Sequence, residues 1–348
     1  MPMTLPIEVK KPIAVDTQLA YIRYSTCGTV LFASAHDGSI RRFDMKNPAF
    51  PELPLIAGHD GWVSCVAVHT QSKRLYSCDS WGRIAAWDAP ISEKPKLLWE
   101  HKQAHPGWVR KLAFSPDGST LASCGRDGIV KLWNPETGKP IQELALNDDL
   151  LTLAFHPNGE LAVGDLHGRI HIWNPKEAKP SRIIESKEFF LYDRIQDVGG
   201  ARCIAFDTKG TFVLVGGAQP KTGGFVQGIP HLFVYDWKSG KRLHTWKGAT
   251  DAEGFVHDVQ WHPDGYAMAV TSGQPGQGKV LFWKPGDEKP FFLVAKPNCH
   301  SLDVNPERTQ LAVLTTNANS SGNGRVKGKD GEYPANTSPT SLWTMPKA

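Results

Sequence analysis

Apolar positions along this chain fall in short runs separated by turn residues. Typical runs are residues 112–114, 120–123 and 129–133. They are too short for globular helices, and they end in turn chemistry, so they predict β-strands. Two markers alternate along the chain. One is a four-residue turn, at 25–28, 70–73, 115–118, 156–159, 207–210, 262–265 and 305–308. Pro presets φ at the second position of several of these turns, and Gly or Asn accepts the tight geometry. The other is an apolar run closed by an aromatic residue: Phe43, Trp87, Trp133, Trp173, Tyr235, Trp283 and Trp343.

Each unit therefore holds one strand before the turn, one after it and one ending in the aromatic residue. A fourth short strand is predicted at 139–144, 179–184, 241–246 and 289–293. Pro140, Pro180 and Pro290 suit edge strands, where a missing N–H is harmless. Four short antiparallel strands every ~40–45 residues make a propeller blade. The expected fold class is all-β: a seven-bladed β-propeller with four-stranded antiparallel blades. One domain, 1–348, replaces the two that length alone would suggest.

The chain at this point resembles the WD-repeat β-propeller family, over essentially its whole length. The residues that carry the resemblance are Gly58-His59 with Trp87-Asp88, and Ala104-His105 with the turn 115–118 and residues 127–133. The resemblance implies a structural tetrad that links a loop His, a strand Ser, a turn Asp and the closing Trp. The third unit carries all four, as His105, Ser123, Asp127 and Trp133. The second has His59, Ser77 and Trp87, with Trp81 where Asp belongs. The fourth has Val163 and His167 at the Ser and Asp positions. The chain reaches Trp343 in a third-strand position, and residues 5–10 are expected to supply the missing fourth strand of blade seven and close the ring.

Unit lengths are uneven. The closing aromatic follows the turn start by 17 or 18 residues in units one to four, but by 28, 21 and 38 in units five to seven. The excess lies at 216–230, 273–278 and 317–338, and a further insertion at 185–200 leads into unit five. The family resemblance implies that these four insertions share one face, the top. Loops on a rigid scaffold carry function. The aromatic cluster Phe189, Phe190, Tyr192 and Arg194 is a candidate partner-binding patch, with Arg202, Phe225 and Phe255 as further candidates. The competing reading is that Phe189 and Phe190 fold back into a small core. A second candidate patch comprises Trp62, Trp81, Trp108, Arg110 and Arg126 on the compact blades. A leading-loop Trp of this kind also packs against neighbouring blades in such a fold.

Composition narrows the function classes. The 348 residues carry 39 Lys+Arg and 35 Asp+Glu, an ordinary globular balance. No basic run is long enough for a nucleic-acid interface; Arg325, Lys327 and Lys329, set among glycines, read as a solvated loop. The six Cys form no C-x-x-C pair, and no His spacing fits zinc, so buried reduced thiols are expected. The first eleven residues hold no apolar signal-peptide core, and no 18-residue apolar run occurs, so neither secretion nor a membrane span is expected and the cytoplasm is the expected compartment.

Catalytic signatures are weak. Residues 273–279 match phosphate-loop spacing up to Lys279. Val280 then stands where Ser or Thr would hold magnesium, and the loop runs into a strand rather than a helix. His105, Ser123 and Asp127 are explained by the tetrad, and no G-x-S-x-G elbow is present. No catalytic residue, cofactor or metal is expected. Ligands contributed to a central channel by different blades would be far apart in sequence and would escape a spacing test. The expected function is a non-catalytic scaffold that binds a protein or peptide on the top face. The alternative is a propeller enzyme or small-ligand binder at the mouth of the central channel.

Overall fold

In the computed structural model, residues 5–9, 12–15, 17–91, 93–223, 227–318 and 337–345 are described. Short runs that alternate with tight turns can pair only with their neighbours, and each unit forms one antiparallel meander. Among the described residues there are seven four-stranded antiparallel sheets and one two-stranded hairpin. Blade three shows the pattern: Val109–Phe114 innermost, then Leu121–Gly125, Ile129–Trp133 and Pro140–Ala145 outermost. The outer strand is the most exposed, as its Pro and charged residues require.

The ring closes as expected. Ile7–Glu8 pairs antiparallel with Thr340–Thr344, in the register Ile7↔Thr344 and Glu8↔Trp343. Val9 N–H extends the ladder to Leu342 O at 2.7 Å. Lys296 also donates to the Glu8 carboxylate. The first strand of the chain thus completes the blade built by its last, and the edge of Thr340–Thr344 is paired.

A propeller blade cannot bury both faces alone, so the core lies between blades. Ala122, Val130 and Leu132 of blade three pack with Leu150, Leu153 and Leu161 of blade four. Leu214 and Leu232 of blade five pack with Val256, Ala269 and Trp283 of blade six. The innermost strands add a polar tie. Arg23 in Leu19–Tyr24 pairs with Asp258 in Phe255–His262 at 3.1 Å. Asp258 also accepts from Ser301 Oγ at 2.8 Å, so blades one, six and seven share one network.

Two insertions take definite shapes. The segment 216–230 is largely ladder rather than loop: Phe212–Pro220 and Gly228–Asp236 pair as far as Pro220↔Gly228, a long hairpin. The segment 185–200 holds a single 3₁₀ turn, Lys187–Phe189, and a small hairpin of Phe190–Asp193 with Gln196–Gly199. Most of 317–338 lies outside the described residues, as do Phe225, Arg325, Lys327 and Lys329.

Candidate functional site: the top face and channel mouth

The tetrads fix where the top-face loops start. In blade three, His105 Nδ1 faces Asp127 Oδ2 at 2.9 Å and His105 Nε2 meets Ser123 Oγ at 2.8 Å. Trp133 Nε1–H donates to Ser123 Oγ at 2.9 Å. His105 N–H also donates to Gly82 O at 3.1 Å, which ties this network to the turn of blade two.

Blade two corrects the sequence expectation. Its network is complete, because Asp79, two residues ahead of Trp81, fills the acid position. His59 Nδ1 meets Asp79 Oδ2 at 2.7 Å, His59 Nε2 meets Ser77 Oγ at 2.7 Å, and Trp87 Nε1–H donates to Ser77 at 2.8 Å. Asp79 ends its strand, and its Oδ1 accepts from the N–H groups of Trp81 and Arg83. In blade four the acid is Asp165, at the same strand end. It holds His171 at 2.8 Å and Arg169 at 2.7 Å. His167 pairs with Asp148 instead.

With its acid position filled by Asp79, blade two leaves Trp81 free of any core role. Its side chain is 67% exposed. Gly61 packs directly against the Trp81 indole, and neighbouring Trp62 is 48% exposed. Trp62 stacks on His36 with ring centroids 4.6 Å apart and meets Trp108 edge-on at 5.9 Å. Trp108 is half-buried beneath the Arg110 guanidinium, 4.3 Å from its ring. Arg110 in turn pairs with Asp149 at 3.0 Å. Arg126 is exposed nearby, its N–H bonded to Trp108 O at 2.9 Å.

The other candidate patch divides. Phe189 is fully buried and stacks on Phe233 at 4.6 Å, so it is a core residue and not an exposed anchor. The 3₁₀ turn at Lys187–Phe189 folds it under the hairpin, against Gly199 and Gly217. Phe190 is half-buried, its ring 4.4 Å from that of His167. Tyr192 and Ile195 remain exposed at the hairpin tip, with Arg194 beside them at positive φ. Phe255 is also buried, as the platform on which the Arg202 guanidinium lies at 4.0 Å.

Sequence reasoning missed several residues of the mouth, namely His36, Asp149, His257 and His300. His257 and His300 meet edge to face, with ring centroids 5.4 Å apart. A positional signal was available: Arg110, Arg202, His257 and His300 each stand five residues ahead of the turns that open at Ser115, Asp207, His262 and Asn305. A cleft opens on the opposite face, between the turns of blades three and four. Its polar groups already satisfy one another, as Ser115 with Asp117 and Asn158 with Glu160 do. Among the described residues no group of three or more His, Cys, Asp or Glu is placed to hold a metal ion. No helix among them is long and apolar enough to cross a membrane.

Comparison with known proteins agrees with this geometry. The family described as "WD domain, G-beta repeat" matches residues 52–88, 96–134 and 138–174. Each match begins at or just before the outer strand of one blade and ends at or just after the third strand of the next. Three WD repeats are thus recognised within a seven-bladed β-propeller that closes into a ring. It is similar to echinoderm microtubule-associated protein-like 2 of Mus musculus, with 23% identity over 164 residues, 46% of this chain and 22% of that protein. The Rattus norvegicus protein of the same name is 23% identical over 162 residues, 46% of this chain and 21% of its own length. The periodic tryptophan protein 2 homolog of Schizosaccharomyces pombe is 36% identical over 64 residues, 18% of this chain and 8% of that protein. The aligned part thus spans about a fifth of the length of the first two relatives.

Proposed function

We propose that this propeller is a non-catalytic scaffold that binds a protein or peptide partner on its top face. The observation that carries this reading is the pair Trp62 and Trp81, exposed side by side around Gly61 without a core role. Large aromatic side chains left in water are costly unless a partner covers them, and Trp is prominent among residues that dominate interface energies. Arg110 and Arg126 supply a charged rim, and Tyr192 with Arg194 forms a second contact on the hairpin tip. The rigid ring holds these groups in fixed positions, so binding immobilises few side chains. Five buried free thiols, among them Cys65 and Cys203, suit the reducing cytoplasm as the place of action. A ligand at the channel mouth is compatible with this reading, because the mouth lies within the same face.

The test is affinity capture from native lysate with the full chain and two double variants, Trp62→Ala with Trp81→Ala, and Phe190→Ala with Tyr192→Ala. The first pair is expected to lose a captured protein while its melting temperature stays near that of the wild type. Capture unchanged in both variants would overturn the reading.

A further inference from the structure

Each innermost strand opens with a buried residue; the ladder skips the residue after it in five of the seven blades and skips the third residue, His257, in blade six. Arg110, His257 and His300 are such skipped residues. Arg202 holds the corresponding position directly ahead of Cys203. A bulge of this kind re-aims a side chain out of the sheet. Four side chains from blades three, five, six and seven can lie close together only if they point to the ring axis. They do lie close: the His257 and His300 rings are 5.4 Å apart. The Arg202 charge reaches His257, and that of Arg110 reaches Arg202.

These groups are incompletely satisfied. His257 Nε2, His300 Nε2 and Arg202 Nε are shielded from solvent and meet no hydrogen-bond partner among the described residues. Asp149 is the nearby carboxylate; its Oδ2 is taken by Arg110, and its shielded Oδ1 meets no hydrogen-bond partner among the described residues. Arg202 lies on Phe255 with no carboxylate in ion-pair range among the described residues. Arg202 is half-buried, and a cation shielded from water without a partner carries a desolvation penalty. Two arginines thus face one carboxylate among these groups.

We propose that the channel mouth binds an oxyanion carried by an extended segment of the partner protein, paired with Arg202 and contacted by Nε2 of His257 and His300. The inference rests on the partner-binding reading of the top face. A cation is the wrong occupant, since Arg202 repels it. Burial, His300 and Arg202 together hold His257 well below the ordinary imidazole value, and burial and His36 hold His300 down to about 4. Both rings are thus neutral while the mouth is empty. An incoming anion reverses the local field, which lets Nε2 take a proton and donate it in a charge-assisted hydrogen bond. A side chain is favoured as the carrier because the apolar wall of Trp62 and Trp108 continues outward from Arg110 and would support the flanking residues.

The test is histidine-ring NMR of the full chain, titrated with inorganic phosphate against sodium chloride of matched ionic strength. Phosphate is expected to shift the His257 and His300 signals saturably and to leave those of His59 and His105 in place. Arg202→Gln should weaken phosphate binding about tenfold or more, the loss of one charge-assisted contact. If that variant fails to fold, His300→Gln keeps Arg202 and should also weaken it. Phosphate that moves neither ring, or that binds every variant equally, overturns the proposal. Three peptides carrying glutamate, phosphoserine or glutamine at one central position then identify the carrier. Tighter binding of either acidic peptide supports a carboxylate or a phosphoryl source respectively, and equal binding of all three overturns a peptide-borne anion. A mouth that passes while the Trp62 and Trp81 variant captures normally separates the two readings: the site stands and the aromatic patch falls.

Discussion

Asp79 Oδ2 lies 2.7 Å from His59 Nδ1, two residues ahead of the Trp81 that alignment of the repeating units placed in its role. The acid of blade two therefore sits at the end of a strand, and the turn that follows is free to present an indole. Replacing Asp79 by Ala leaves a buried His without its partner, and such losses amount to about 1–3 kcal/mol. Trp81→Ala removes only exposed surface, with an expected effect within about 0.5 kcal/mol. Chemical denaturation of both variants checks the assignment. The opposite order of effects would restore Trp81 as the structural residue.

Acid sensitivity follows from the same contacts. Burial alone would raise Asp79, Asp127 and Asp165, but hydrogen bonds from His59, His105 and His171, with backbone N–H donors, hold all three below the ordinary carboxylate value. A carboxylate whose folded-state pKa is depressed contributes stability that is complete well above its unfolded value, about 3.9. That contribution fades as pH falls from there through the folded values. Melting temperature is expected to drop steeply below about pH 4, and Asp79→Asn should flatten the drop. An acid limb identical in wild type and Asp79→Asn would show that blade two does not set it.

The ring closure can be tested by truncation. Removing residues 1–9 takes away Ile7–Glu8 and the Glu8–Lys296 pair, and exposes the edge of Thr340–Thr344. The expected result is a clearly lower melting temperature and a greater tendency to aggregate through the open edge. Adding the excised segment back as a synthetic peptide should recover part of the lost stability. A truncated chain that melts like the full one would mean the ring holds by blade packing alone.

Much of the fold was legible in the order of the residues. The alternation of turn and closing aromatic determined seven blades, their antiparallel meanders and the strand that closes the ring. These are local consequences: each strand pairs with its neighbour in sequence, and each turn residue acts on its own backbone. Blade three's His105, Ser123, Asp127 and Trp133 were legible for the same reason, since one unit holds all four. The tertiary structure alone decided which side chains those strands present. Phe189 became core because a 3₁₀ turn folds it onto Phe233, 44 residues further along the chain. Arg110, His257 and His300 are re-aimed by bulges, Arg202 stands directly ahead of its strand, and ring closure brings their blades around a common axis. Sequence spacing records neither the phase of a bulge nor a contact between blades, and the charge left unpaired at the axis exists only once the ring is closed.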